Sequence, residues 1–155
     1  IRWSDSYMKL PYKDVMKAKY LMYDLDWRTW KDHAMPERNL EREEALMREL
    51  KISKFEPYNL LSVNFGSGTK RTADISVSND LRNIEMDFVP GYSLFDWCGI
   101  IERARTIHAV SSSSLYLFEV LNLRAEEIHL YTRKPLEKNL DFVKPLLTKN
   151  YILHE

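Results

Sequence analysis

Cysteine occurs once in the 155 residues, at Cys98, so no intrachain disulfide can staple the fold and a disulfide-built secreted scaffold is excluded. An excess of one charge is also missing, because 23 Lys and Arg balance 23 Asp and Glu. No bulk electrostatic drive toward nucleic acid or an anionic membrane follows from that balance, and neither is expected as a partner. Glycine is scarce at 4 residues and proline modest at 6, and no linker-like run or internal repeat interrupts the chain. The longest charge-free stretch of note, Thr106 to Phe118, is too short and too rich in serine to span a bilayer. No signal-peptide pattern opens the sequence. With the lone cysteine, this points to the cytoplasm. The four histidines, His33, His108, His129 and His154, are scattered without metal-ligand spacing, so neither a metal nor another cofactor is expected.

What is there reads as one ordinary globular domain: 45% apolar and 30% charged residues, enough for a real core. The first third has helical texture. Tyr12 to Tyr23 carries Val15, Met16, Ala18, Tyr20 and Leu21, and Tyr23 to Trp30 alternates ambiguously. Asn39 is placed to cap a helix from about Leu40 to Lys51, with Glu41, Glu43 and Glu44 favourable in its first turn. Leu40, Ala45, Leu46 and Leu50 would form its buried stripe.

After Pro57 short β-branched and apolar runs alternate with helical stretches. Strands are expected at 59–64, 75–78, 84–88, 106–110, 128–132 and 151–153, and Pro90-Gly91 marks a turn. Helices are expected at 94–105, from the serine run to residue 121 or 122, and from residue 136 or 139 to 147. Strands alternating with helices of about ten residues imply a parallel sheet with right-handed crossovers. The predicted fold is α/β, a Rossmann-like parallel sheet flanked by helices and preceded by a helical segment. Residues 1–57 would be that segment, at an interdomain boundary, and residues 58–155 the Rossmann-like domain. Thr106 to Val110 is expected as a central strand.

In such sheets ligands bind outside the carboxyl ends of the strands. Two loops fall there. The first, Asn64-Phe-Gly-Ser-Gly-Thr-Lys-Arg71, offers Gly66, Ser67 and Gly68 for close backbone approach and Lys70 and Arg71 as cations for a phosphate. It is neither a Walker A loop nor the G-x-G-x-x-G fingerprint, and its plainer reading is a hairpin turn. The second, Ser111, Ser112, Ser113 and Ser114, stands between a strand and a helix. Its hydroxyls and the helix N–H groups suit an anion, while simple N-capping by one serine is the alternative. Glu119, five residues on, could accept from ribose hydroxyls or simply face solvent. Asp24, Asp26, Trp27 and Trp30 combine carboxylates and indoles as sugar sites do, but packed indoles with exposed acids are the stronger reading. His108 reads as a packed or edge histidine.

The run Ser93-Leu-Phe-Asp-Trp-Cys-Gly-Ile-Ile-Glu-Arg-Ala-Arg105, then Thr106 to Val110, the serine loop and Leu115 to Leu121, then Ile128-His-Leu-Tyr131, resembles the donor-binding C-terminal half of GT-B glycosyltransferases, in the layout of heptosyltransferase-like members. Ile101 and Ala104 on a helix, a short strand, a small polar loop and a further helix follow that layout over residues 58–132. In place of the family's Asp-Thr/Ser-Gly loop and following histidine stand Ser111 to Ser114, then Leu115 and Tyr116. The resemblance implies a nucleotide diphosphate sugar as donor, with Lys70, Arg71 and the serine loop at the diphosphate. It also implies a general base from a separate N-terminal domain, so this chain, which starts at Ile1, is expected to be a donor-side part of a longer enzyme and inactive alone. A non-catalytic nucleotide-binding module and a structural or assembly domain are the alternatives.

Overall fold

The computed structural model describes residues 20, 23–65, 71–133, 139–141 and 143–155, with the backbone alone at residue 71. The chain divides into two compact units, residues 1–35 and 36–155. In the first, the helix expected over Tyr12 to Tyr23 lies almost wholly outside the described residues. Trp27–His33 forms a 3-10 helix. Asp26 caps it, accepting from the Arg28 N–H at 3.0 Å and from Arg28 Nε at 2.9 Å. That carboxylate is therefore spent on a cap and an ion pair, and Trp30 is buried, as the structural reading of this cluster requires.

The second unit is built on a five-stranded, wholly parallel sheet. Helix α1, Leu40–Glu49, precedes it and is capped by the Asn39 side chain on the Arg42 N–H at 3.1 Å. The chain then runs through β1 (Tyr58–Ser62), a small antiparallel pair β2 (Asn64–Phe65) and β3 (Arg71–Thr72), and β4 (Arg82–Glu85). A 3-10 turn, Leu94–Trp97, leads into α2 (Cys98–Arg103) and β5 (Thr106–Val110). Helix α3 (Ser114–Val120), β6 (Glu127–Tyr131), a 3-10 turn at Lys144–Leu146 and β7 (Ile152–His154) complete it.

The sheet order is β4-β1-β5-β6-β7. Counted along the chain within this sheet, that is the doubly wound order 2-1-3-4-5, and β5 is the central strand. The α/β Rossmann-like reading holds. Three expectations are corrected. Ile75 to Ser78 is not a strand, and the segment before β4 is irregular. The last helix is reduced, among the described residues, to the 3-10 turn containing Pro145. In α1, Leu40 is exposed, and the buried positions are Glu43, Leu46 and Met47. The stripe is shifted because Glu43 is taken inward by Arg38, which also reaches Glu102 at 3.0 Å.

Register explains the layers. Leu60, Ile107, Ile128 and Ile84 stand on one face, with Ala109 and Leu130 on the next rung. These join Leu46 and Met47 of α1, Ile100 and Ile101 of α2, and Leu115, Leu117 and Phe118 of α3 in one apolar core. The steps from β4 to β5 and from β5 to β6 go the same way across the sheet, so right-handed crossovers put α2 and α3 on this same face. The step from β1 to β4 goes the other way. Its connection therefore belongs to the opposite face, and Asn59 fastens it there. Fully buried, Asn59 donates to Asn79 at 2.7 Å and Asn83 at 2.8 Å, and accepts from Thr106 Oγ1 at 2.5 Å.

The turn at Pro90-Gly91 is as expected. Tyr92 N–H donates to the Val89 carbonyl at 3.0 Å, and Gly91 takes φ +85°, the left-handed position a type II turn reserves for glycine. At Gly99 space decides instead: a Cβ there would meet Glu43 Oε2 at 2.7 Å.

Replacing Asn59 by Ala leaves several buried polar partners unpaired and should cost about 3 kcal/mol in denaturant unfolding. Thr106→Val removes one donor and should cost about 1 kcal/mol. Equal losses would contradict the central role given to Asn59.

Candidate functional site

A doubly wound sheet opens a crevice where the chain reverses direction across it, beyond the carboxyl ends of the two strands involved. Here those strands are β1 and β5. They are adjacent and parallel, with Ser62 paired to Ala109. Each ends in one of the two loops singled out from the sequence.

Beyond β1 stands the β2–β3 pair, with Phe65 opposite Arg71 and Asn64 opposite Thr72. The antiparallel pairing makes this segment a hairpin. Its root is pinned by Asn64, whose Nδ2 donates to Glu85 Oε1 at 2.8 Å and whose Oδ1 accepts from Thr72 Oγ1 at 2.8 Å. Ala73 N–H closes onto the Val63 carbonyl at 3.0 Å. Gly66, Ser67, Gly68 and Lys70 lie outside the described residues, as does the Arg71 side chain.

Beyond β5 the four serines divide their work. Ser111 and Ser114 are buried, Ser112 is half-buried and Ser113 is exposed. Ser114 Oγ lies 2.7 Å from Ser62 Oγ and 2.9 Å from Ser112 Oγ. A chain of three hydroxyls thus bridges the ends of β1 and β5. Sequence reasoning missed Ser62. Its signal was present, however: it is the last residue of a buried strand and is followed by the loop already under suspicion.

Helix α3 offers less to an anion than the sequence suggested. Its N–H groups at Leu115 and Tyr116 already donate to the carbonyls of Ser112 and Ser113, at 3.1 and 3.2 Å. Ser113 sits at the capping position with helical dihedrals and makes no side-chain cap bond. The hydroxyls, rather than the helix end, are what this loop presents.

Glu119 is turned into the protein. Its Oε2 accepts from the Thr148 N–H at 3.0 Å and Thr148 Oγ1 at 2.7 Å, and its Oε1 accepts from Tyr151 OH at 2.7 Å. Burial and that carboxylate push the Tyr151 phenol well above its ordinary range. Glu119 therefore fastens the segment before β7.

A second constellation escaped the sequence. His108 on β5, His129 on β6 and His154 on β7 come together on the face of Asn59, with Tyr131 and Glu127. Their separation in the chain hid them, although each occupies an alternate position in a strand. No group of three or more His, Cys, Asp or Glu among the described residues is arranged to hold a metal ion. No helix of the described residues is long and apolar enough to cross a membrane.

Comparison of the chain with protein-family models, with curated proteins and with solved structures finds no match. The site's reading therefore rests on its own geometry.

The hydroxyl chain makes an asymmetric prediction. Ser114→Ala strands the buried Ser62 and should cost about 2 kcal/mol, whereas Ser62→Ala leaves Ser114 bonded to Ser112 and should cost about 1 kcal/mol. The double variant should lose little more than Ser114→Ala alone, which urea melts of the four proteins would show. Simple additivity would mean that the two hydroxyls are not coupled.

Proposed function

We propose that the chain binds a nucleoside diphosphate, as the donor-binding part of a glycosyltransferase that uses a nucleotide diphosphate sugar, in the crevice beyond β1 and β5. One observation carries the reading. The hairpin root at Asn64–Phe65 and Arg71–Thr72 and the serine loop with its hydroxyls follow adjacent parallel strands, at the point where the sheet reverses. The hydroxyls of Ser112 and Ser113 are at or near the surface and can donate to phosphate oxygens. Ser114 and Ser62 hold the loop that carries them. Lys70 and Arg71 would meet the negative charge that develops on the diphosphate as the sugar leaves. The acceptor and the general base belong, on this reading, to a separate acceptor-side domain. The chain alone should bind donor without sustained turnover. Glu119 is not assigned to the ribose, since its carboxylate is engaged by Thr148 and Tyr151.

Titration calorimetry with nucleoside diphosphates against the matching nucleosides tests this. Arg71→Ala and Lys70→Ala should each weaken diphosphate binding about ten- to a hundred-fold, the effect of losing a charge-assisted bond of about 1.5–3 kcal/mol, and should leave nucleoside binding nearly unchanged. Ser113→Asp should be comparably harmful by repulsion, and Ser113→Ala mild. A folded Ser113→Asp protein with unaltered diphosphate affinity would reduce the serine loop to a connector and favour a structural or assembly domain. Binding that survives intact, with no transfer even in the presence of an acceptor-side domain, would favour a non-catalytic nucleotide-binding module.

A further inference from the structure

The three histidines form a row across the last three strands of the sheet. His108 and His129 are register partners on β5 and β6, and their rings stack at 4.4 Å with 4° between planes. His129 Nδ1 lies 2.9 Å from His154 Nε2, and His129 Nε2 lies 3.1 Å from Glu127 Oε2. Tyr131 closes the group. Its hydroxyl is 3.2 Å from His108 Nδ1, and its ring stacks on His154 at 4.1 Å.

Bond directions follow from the acid at one end. An ionised carboxylate only accepts, so His129 carries its proton on Nε2 and donates to Glu127. Its Nδ1 is then an acceptor, and His154 Nε2 is the donor. A first proton can enter at His154 Nδ1 with every one of these bonds kept. A second proton on the pair must enter at His129 Nδ1, which already faces an N–H. Two donors would then meet head on, and two cations would stand with ring centres 5.2 Å apart. A proton on His108 would add a third cation stacked beneath the second. Among the described residues the titratable or charged groups of these strands on this face are the three imidazoles, Tyr131 and Glu127 alone, so one carboxylate faces three bases.

The strand at the end of the row pairs with the sheet on one side only, through β6. Strand β7 has three residues and lies at the sheet edge, with Ile152 and Leu153 exposed. The segment before it has separate anchors: Leu140 and Val143 in the core, and Thr148 and Tyr151 on Glu119.

We propose that the imidazole row is an acid-sensitive latch: when the row takes up its second proton, His129 and His154 part and β7 peels from β6 while the rest of the sheet stays paired. The sign agrees with the surroundings. Burial first, then His129 and His154, push His108 down to about 4, and burial followed by His129 lowers His154 as well. A released imidazole takes up protons near pH 6.5 and docked His154 is held below that, so the opened strand binds more protons than the docked one once the pH falls below about 6.5. The latch is closed above that pH and loosens as the pH falls below it.

Hydrogen exchange of the 155-residue chain, corrected for intrinsic rates, tests the latch at pH 7.5 and 5.0. Protection of the Thr132 amide, which donates to the His154 carbonyl at 3.1 Å, and of the amides of 152–154 should fall at least ten-fold relative to β1 and β5. His129→Gln, which can accept from His154 without ever carrying the second proton, should flatten that dependence. His154→Gln should do the same and serves if the first variant folds poorly. Edge protection that is equal at both pH values in the wild-type protein, or a dependence unchanged in a folded variant, would overturn the proposal.

Discussion

The architecture of the second unit depends on β1 being buried on both faces and used in opposite ways on each. Leu60 points into the apolar core with the helices, and Asn59, one residue earlier, points to the other face. Leaving an amide there without partners would cost about 1–3 kcal/mol, so its environment is fixed by hydrogen bonding rather than by packing. Asn79, Asn83 and Thr106 supply it. Those partners come from the β1–β4 connection, from β4 and from β5. One side chain therefore ties together both neighbours of β1 and the irregular segment that crosses the second face. Among its described residues that segment has no helix, and apolar burial alone could not define its path.

The same strand positions the crevice. Because β4 and β5 lie on opposite sides of β1, the sheet reverses there, the place where doubly wound sheets form their crevice. The Ser62–Ser114–Ser112 chain sets the spacing of the two strand ends with short hydroxyl bonds. Structure and candidate chemistry thus share residues: Ser114 is a brace, and Ser112 and Ser113 are the groups it displays. Glu119 shows the opposite outcome, a carboxylate in the right stretch of sequence that is consumed in holding the chain before β7.

Much of this was legible in the sequence because it rests on local rules. Asn39 as a cap, the turn at Pro90-Gly91, and Thr106 to Val110 as a central strand are signalled by residue type and immediate neighbours. The errors arose where tertiary contact overrides such rules. Ile75 to Ser78 alternates like a strand but is irregular in the structure, where β4 takes the place beside β1. Leu40 looks like part of a buried stripe, yet Arg38 draws Glu43 inward and rotates the buried face. Ser62, and the row of His108, His129 and His154, could be found only once strand register was known. Neighbours across a parallel sheet are tens of residues apart in the chain, and spacing carries no trace of them.

The central claim is that the crevice beyond β1 and β5 takes a diphosphate. Backbone amide shifts of isotopically labelled protein, followed while a nucleoside diphosphate is added, test it most directly. The account predicts saturable changes concentrated at residues 62–65, 71–73 and 110–115, with β7 and α1 nearly silent. Changes centred elsewhere, or none at millimolar ligand in a folded protein, would contradict it.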